Sequence, residues 1–212
     1  MPAHNEDLHG NAPDTSAAAL ILIDMINDME FEGGDSLITH SMPAARRIAE
    51  LKVKVKAAGI PVIYANDNFG RWRSDFREVV EHSLSDGVRG QPVVELLKPD
   101  ANDYFVLKPK HSAFFATTLD TLLQYLGTKH LILTGVAGDV CVLFTANDAY
   151  MRDLHVHVPS DCIASISEDE NRKALDYMHR VLGADITPST ELDVAALSEL
   201  ACPERPAHPG DG

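Results

Sequence analysis

The sequence predicts an α/β fold, a doubly wound and mainly parallel six-stranded sheet with helices on both faces. Short apolar runs of strand length recur along the chain, and segments with the periodicity of helices lie between them. The runs are continuously apolar, which is typical of strands that are buried on both faces. The chain has 212 residues, which is enough for one sizeable packed domain.

Six strands and four helices are predicted in alternation. The predicted strands are residues 17–23, 61–65, 104–107, 130–134 and 156–159, with a short sixth strand at 184–186. The predicted helices are residues 42–58, 119–126, 140–151 and 168–182. Ser41 is expected to cap the first helix, Pro43 lies near its predicted start, and Gly59 is expected to end it.

Residues 17–200 are predicted to form a single domain between two flexible tails. The tails are residues 1–16 and 201–212, which are rich in Pro, Gly and polar residues and lack apolar periodicity. No internal repeat or linker interrupts the stretch between them.

The charge balance excludes some classes of partner. Lys and Arg total 18 and Asp and Glu total 32, so the formal net charge is −14. Nucleic acid and anionic membrane surfaces both select a basic face, so neither is expected as the main partner. No apolar run has the roughly 18 to 20 residues that a membrane span needs.

The sequence also indicates the compartment. The polar N-terminus lacks Lys and Arg, unlike a signal or transit peptide. Cys141, Cys162 and Cys202 are odd in number and too sparse for a disulfide framework. We therefore expect a reduced, cytoplasmic protein.

Three reactive side chains follow three different predicted strands. Asp24 comes directly after the first, Lys108 directly after the third, and Cys141 soon after the fourth. Parallel sheets bind ligands at the carboxyl ends of their strands, so three loops are expected to bring these groups to one crevice. Each also has an ordinary structural interpretation: a salt-bridged carboxylate, a surface lysine and a buried cysteine. Lys110 competes with Lys108 for the lysine role.

Cys141 lies where the fourth strand turns into a helix. Gly135 allows a tight turn, and the predicted helix begins close to the cysteine. The positive end of a helix favours a thiolate, so Cys141 is expected to be the thiol that iodoacetamide labels fastest at neutral pH. Exposed backbone N–H groups at such a turn are suited to holding an oxyanion.

Three segments carry a family resemblance. ALILIDMINDM, VLKPKHSAFFATTLDTLL and LTGVAGDVCVLFTANDA resemble the isochorismatase-like cysteine hydrolases, which include nicotinamidases and N-carbamoylsarcosine amidases. The resemblance runs from about Ala18 to Ile186. It implies a catalytic triad of Asp24, Lys108 and Cys141, with Lys108 selected over Lys110 by its spacing from the S-A-F motif.

The resemblance also implies an oxyanion hole and a mechanism. A cis peptide is expected between Val136 and Ala137, with the N–H groups of Ala137 and Cys141 facing the substrate oxygen. Asp24 would take the thiol proton, and Lys108 would stabilise the charge. The thiolate would attack an amide carbonyl to form a thioester, which water then hydrolyses.

The implied activity is therefore cleavage of a C–N bond in a small amide, ureido or carbamoyl substrate. One alternative is a vinyl-ether (C–O) hydrolase on the same fold. Two others are a metal-dependent nicotinamidase and a non-catalytic family member. Cys141 favours the amidase, because isochorismatases that cleave a vinyl ether often lack the cysteine.

No metal and no other cofactor are expected. The nicotinamidases of this family bind a metal through Asp-x-His after the second strand, whereas here Asp67 is followed by Asn68 and Phe69. His82 and His111 remain, but an isolated His is more often structural or exposed.

The loop that follows the second predicted strand is expected to set substrate specificity. It reads NDNFGRWRSDF and contains Trp72, the single tryptophan of the chain. Phe69 and Trp72 are candidates for an apolar wall, and Asn66 and Asn68 for hydrogen bonds to a substrate amide.

Two arginines in the same loop are candidates for binding a substrate carboxylate. Either Arg71 or Arg73 would do so through a bidentate contact. The alternative is that they pair with Asp75, Glu78 or a neighbouring subunit.

A homodimer or homotetramer is expected. The uncharged stretches YFVL and AFFATTL, together with loose termini, favour partner residues near the crevice. Light scattering at micromolar concentration checks this prediction, and a clean monomer would contradict it.

Overall fold

A computed structural model describes residues 12–68, 75–85 and 87–202, and its strands form one sheet. The strands are β1 (Ala18–Ile23), β2 (Val62–Asp67), β3 (Tyr104–Lys108), β4 (His130–Val136), β5 (His155–His157) and β6 (Ile163–Ala164). The helices are α1 (Gly34–Ala57), α2 (Phe76–Ser85), α3 (Gln91–Leu96), α4 (Leu119–Leu126), α5 (Leu143–Tyr150), α6 (Glu168–Leu182) and α7 (Val194–Ser198). A π-helical turn, Gly138–Val142, leads into α5.

The sheet order is β3-β2-β1-β4-β5, with β6 paired to the far end of β4, and every one of these pairs is parallel. Along β1, alternate residues enter two separate cores: Leu20 and Leu22 one, Ile21 and Ile23 the other. Helices α1, α2, α3 and α7 cover the first core, and α4, α5 and α6 cover the second. The predicted doubly wound sheet is confirmed.

The first helix begins eight residues earlier than predicted. Ser41 does not cap it; the Ser41 side chain is buried inside α1 and donates its hydroxyl hydrogen to the carbonyl of Leu37. This local bond satisfies the hydroxyl within the helix. Pro43 also lies inside α1, because the buried contacts of Leu37 and its neighbours extend the helix past the proline. The capping prediction is therefore wrong.

The sixth strand is also misplaced in the prediction. Residues 184–186 contribute one bridge, between Asp185 and His157, and no strand. The side chain of Asp185 accepts hydrogen bonds from the backbone and hydroxyl of Thr187, and this local turn ends the pairing. The sixth strand is instead Ile163–Ala164, beside the end of β4.

The remaining differences between the predicted and observed elements concern where strands and helices begin and end, and three additional helices. Strands β2, β3 and β4 run beyond the predicted ends, so Lys108 is the last residue of β3. The predicted helix 140–151 is a π-helical turn followed by α5, and β5 is residues 155–157 instead of 156–159. Helices α2, α3 and α7 are additional to the predicted elements.

The chain just before β1 packs against the domain. Ala12 is buried in the second core, and Ser16 donates its backbone N–H to the carbonyl of Leu126. Residues 1–11 and 203–212 lie outside the described residues, so the two tails stay a prediction. Within the described ranges, no helix is long and apolar enough to cross a membrane.

Candidate active site

The carboxyl ends of β1, β3 and β4 bring the three predicted reactive groups together. Asp24 follows β1, Lys108 ends β3, and Cys141 lies in the π-helical turn after β4. The Lys108 ammonium is 2.8 Å from Asp24 Oδ2 and donates a hydrogen bond to Cys141 Sγ at 3.5 Å. The Asp24 carboxylate also lies near enough to the Cys141 thiol for each group to shift the pKa of the other. The three groups therefore form one connected cluster.

The backbone fixes the Asp24 carboxylate. Asp24 has φ of 51°, in the left-handed region that non-glycine residues rarely adopt. Its N–H donates to the carbonyl of Ala65, and its Oδ1 accepts from the N–H of Asp67 at 2.7 Å. Strain of this kind persists where the surrounding structure enforces it and is common at functional sites.

Asn66 holds the chain that follows Asp24. Its side chain is completely buried, and its amide donates to the carbonyl of Ile26 at 2.7 Å. It therefore positions the loop after β1, and its other amide atom, Oδ1, has no protein hydrogen-bond partner among the described residues. The predicted contact of Asn66 with substrate stays a prediction.

Removal of the Asn66 amide is expected to destabilise the fold. In Asn66→Ala the buried carbonyl of Ile26 loses its donor, which costs about 1–3 kcal/mol. Urea denaturation measures this loss. Asn147→Ala is the matched control, because the Asn147 amide also donates to a carbonyl, that of Leu143, but within a half-buried helix. Equal midpoints for the two variants would contradict the anchoring role.

The turn that carries Cys141 is held from three sides. Gly135, with φ of 114°, packs so closely that a Cβ would lie 2.1 Å from the carbonyl oxygen of Ile23. The backbone N–H of Asp139 donates to Ser165. Thr145 accepts from the N–H of Ala113 and donates to the carbonyl of Cys141, which links the loop after β3 to this turn.

The peptide bond between Val136 and Ala137 is cis, as the resemblance implies. The carbonyl of Ala137 accepts the N–H groups of Val140 and Val142, which starts the π-helical turn around Cys141. The assignment of the Ala137 and Cys141 N–H groups to an oxyanion hole stays a prediction.

Burial dominates the electrostatics of the cluster. Removal from water raises the pKa of the Asp24 carboxyl, against the opposing effect of the Lys108 ammonium. Burial is the largest single influence on Lys108 and acts to lower its pKa, but Asp24, Cys141 and Asp67 together outweigh it and the pKa is raised. A carboxylate with a raised pKa is a stronger base, and a lysine with a raised pKa stays charged.

The thiol of Cys141 is protonated in the resting protein. Burial raises its pKa to about 12, and the Asp24 charge adds to the increase. The expectation that the helix end favours a thiolate is therefore wrong, because desolvation outweighs it. Formation of the thiolate at neutral pH therefore needs a proton acceptor close to Cys141.

This protonation state predicts the pH dependence of alkylation. The thiolate fraction rises about tenfold per pH unit below the pKa, so labelling of Cys141 by iodoacetamide should keep rising between about pH 7 and pH 10. Peptide mapping at each pH measures the rate, with the fully buried Cys162 as an internal reference that stays unlabelled. A plateau below about pH 8.5 would contradict a raised pKa.

The remaining residues predicted for the site are not part of the cluster or lie outside the described residues. Lys110 is exposed with its ammonium over the ring of Phe115, which leaves Lys108 as the lysine of the cluster. Phe69, Arg71, Trp72 and Arg73 lie outside the described residues. Asn68 is buried, and its N–H donates to the carbonyl of Lys108.

Asp67 lies beside the cluster, a position that the sequence interpretation of this residue as a possible metal ligand does not include. It pairs in register with Lys108, and its Oδ2 lies 3.9 Å from the Lys108 ammonium. The sequence offers one indication of this position: Asp67 ends β2, and the carboxyl ends of parallel strands share one edge of the sheet, as they do for Asp24. With a one-third exposed side chain, Asp67 also adds negative charge to the crevice.

The residues around Asp67 do not fit the nicotinamidase metal site. Its carboxylate faces the Lys108 ammonium, which would repel a cation. His82 lies beside Asp28, and His111 packs against the ring of Phe144. In the described part of the chain, no group of three or more His, Cys, Asp or Glu side chains is placed to hold a metal.

A parallel sheet with helices on both faces is the fold shared with solved isochorismatase-like hydrolases, and its ligand site is expected at the carboxyl ends of the strands. The chain belongs to the isochorismatase family, since residues 18–191 match the model of the isochorismatase domain. The resemblance seen in the sequence is confirmed.

The relatives include proteins named as amidases. The chain is 42% identical to YaaI, an uncharacterized isochorismatase family protein of Bacillus subtilis, over 82% of this chain and 95% of YaaI. It is 30% identical to the ureidoacrylate amidohydrolase RutB of Yersinia enterocolitica, over 77% of this chain and 82% of RutB. The structure of N-carbamoylsarcosine amidase from Thermoplasma acidophilum matches with a TM-score of 0.63 and 28% identity, over 83% of this chain and 98% of that one.

Proposed function

We propose that the chain is a cysteine amidohydrolase that cleaves a C–N bond in a small amide, ureido or carbamoyl compound. The observation that carries this proposal is the cluster in which the Lys108 ammonium contacts both the Asp24 carboxylate and the Cys141 thiol. A nucleophile next to a base, with a third group that holds both, is the arrangement that nucleophilic catalysis needs.

In the proposed reaction Asp24 removes the thiol proton from Cys141, and the sulfur attacks the substrate carbonyl carbon. The N–H groups of Ala137 and Cys141 stabilise the oxyanion. Asp24 then gives the proton to the leaving nitrogen, which departs as ammonia or a small amine and leaves a thioester. Water, activated by Asp24, attacks the thioester and regenerates the thiol.

The environment of each group supports its role. The raised pKa of Asp24 suits a residue that both takes and returns a proton. The fully buried Lys108 ammonium compensates the negative charge that passes between Asp24 and Cys141. Two of the relatives, RutB and N-carbamoylsarcosine amidase, are named for amide hydrolysis, which is consistent with cleavage of a C–N bond.

An ammonia-release screen tests the proposal. Purified full-length protein is incubated with small primary amides, ureido acids and carbamoyl compounds, and each positive is repeated with Cys141→Ala. We expect release from at least one class and none with the variant. Ammonia release by the variant at the parental rate, or cleavage of a vinyl ether in place of every amide, would contradict the proposal.

A chelator separates the proposal from a metal-dependent nicotinamidase. Since thiolate attack with an oxyanion hole needs no Lewis acid, prolonged EDTA treatment should leave turnover unchanged. Turnover is measured before and after dialysis on the substrate that the screen identifies. Loss of activity that zinc, iron or manganese restores would contradict the metal-free mechanism.

A further inference from the structure

Three histidines meet at the amino-terminal edge of the sheet, the edge opposite to Asp24 and Cys141. His130 begins β4, His155 begins β5 and pairs with it in register, and His157 ends β5. The proposed hydrolase mechanism uses none of them. The rings of His130 and His155 stack with centroids 4.4 Å apart.

A chain of polar contacts orients two of these imidazoles. His157 Nδ1 lies 3.3 Å from Asp185 Oδ2, and His157 Nε2 lies 3.3 Å from His130 Nδ1. Asp185 is itself fixed, because its Oδ1 accepts hydrogen bonds from the N–H and the hydroxyl of Thr187. When Nδ1 of a neutral His157 donates to Asp185, Nε2 carries the lone pair and points at His130.

The imidazoles line a cavity of about 410 Å³ whose chemistry suits a cation. Asp153, Asp185 and Tyr150 also line it, and among the described residues no lysine or arginine does. Two carboxylates with no opposing cationic side chain disfavour an anion. Imidazole nitrogens favour zinc, copper and nickel over magnesium and calcium, which prefer oxygen.

We propose that His130 Nδ1 and His157 Nε2 together bind a divalent transition-metal ion, with zinc as the type case. Tetrahedral Zn–N bonds of about 2.0–2.1 Å place two nitrogens about 3.3–3.4 Å apart, which is the separation already present here. A shift of the His130 proton from Nδ1 to Nε2 frees the second lone pair without loss of a proton.

Asp185 is the positioning residue of this site. Zinc-bound histidines commonly donate their other ring N–H to a carboxylate, and removal of that partner typically costs about 10–100-fold in metal affinity. Since no third His, Cys, Asp or Glu side chain in the described ranges is placed as a ligand, solvent completes the coordination.

The ion would connect β4 and β5, and through Asp185 the segment that follows α6. Because the unfolded chain does not hold His130 and His157 together, zinc should stabilise the folded protein by mass action. Saturating zinc should therefore raise the Tm, and this readout is independent of enzymatic activity.

Metal titration of the metal-free full chain tests the proposal. Zinc binding is measured by calorimetry and cobalt binding by its visible absorption, for the parent, His130→Gln, His157→Gln and Asp185→Asn. We expect binding of zinc to weaken at least about 10-fold in each variant, together with the loss of the zinc-dependent Tm increase. His40→Gln, on α1, is the matched control and should behave as the parent.

Cys141→Ala distinguishes this site from the thiol of the catalytic cluster. Its zinc affinity should equal that of the parent, and cobalt should show no thiolate-to-metal band. Equal zinc binding by the parent and a His130→Gln, His157→Gln double variant would overturn the proposal. So would the absence of zinc binding by the parent, or its loss in Cys141→Ala alone. Far-UV circular dichroism establishes that each variant is folded.

Discussion

Replacement of Cys141 by alanine is expected to reduce kcat/KM for the amide substrate by roughly 10⁴-fold or more, the scale that removal of a catalytic nucleophile produces. The Cys141 sulfur accepts a hydrogen bond from the buried Lys108 ammonium, and in the proposed reaction it is the group that forms the covalent bond. Steady-state ammonia release measures the loss. Mass spectrometry of the parent, quenched during turnover, should detect the acyl group on the peptide that contains Cys141.

Cys162→Ala provides the matched control. Cys162 also follows a strand and also has a pKa that burial raises to about 12, but it packs in the core on the α1 side of the sheet. This variant should keep its turnover number and lose only stability. Activity of Cys141→Ala above a tenth of the parent would mean that Asp24 acts without a thioester, as expected for a C–O hydrolase.

Much of the cluster of Asp24, Lys108 and Cys141 could be predicted, because the order of strands in the sequence determines which residues lie at the same edge of a parallel sheet. The carboxyl ends of parallel strands share an edge, so the strand-ending positions of Asp24, Lys108 and the turn before Cys141 suffice to bring them together. The register of β2 with β3 then decides that Lys108, and not Lys110, faces Asp67 and the cluster. The family resemblance pointed to the same lysine.

The rest depends on contacts between segments that are distant in the sequence. Ser41 has the residue type of a helix cap, but packing of α1 against the sheet carries the helix past it. The protonation of Cys141 depends on how deeply the turn is buried, which no local pattern reports. The histidines His130 and His157 meet only through the pairing of β4 with β5.

Replacement of Lys108 by methionine is expected to lower kcat at least about 10²-fold, the scale of a lost positioned catalytic group. Methionine has a similar volume but no charge, so Asp24 loses the ammonium that lies 2.8 Å away. The pKa of Asp24 is already raised by burial and should rise further, so the acidic limb of the pH–rate profile should move to higher pH. Lys110→Met is the matched control, because this exposed lysine lies over Phe115.

The free energy of unfolding distinguishes two effects of Lys108, its charge next to Asp24 and its packing in the core. A buried carboxylate without its partner costs about 3–5 kcal/mol, so Lys108→Met should be much less stable to urea than the parent. The double variant Asp24→Asn, Lys108→Met removes both charges and should recover much of that stability while staying inactive. If Lys108→Met and Lys110→Met lose equal activity, or the double variant is no more stable than Lys108→Met, then Lys108 does not act through the charge of Asp24. The coupling energy between the two substitutions, measured by urea denaturation, together with the shift of the pH–rate profile, therefore measures how far the Lys108 ammonium stabilises the charged Asp24 carboxylate.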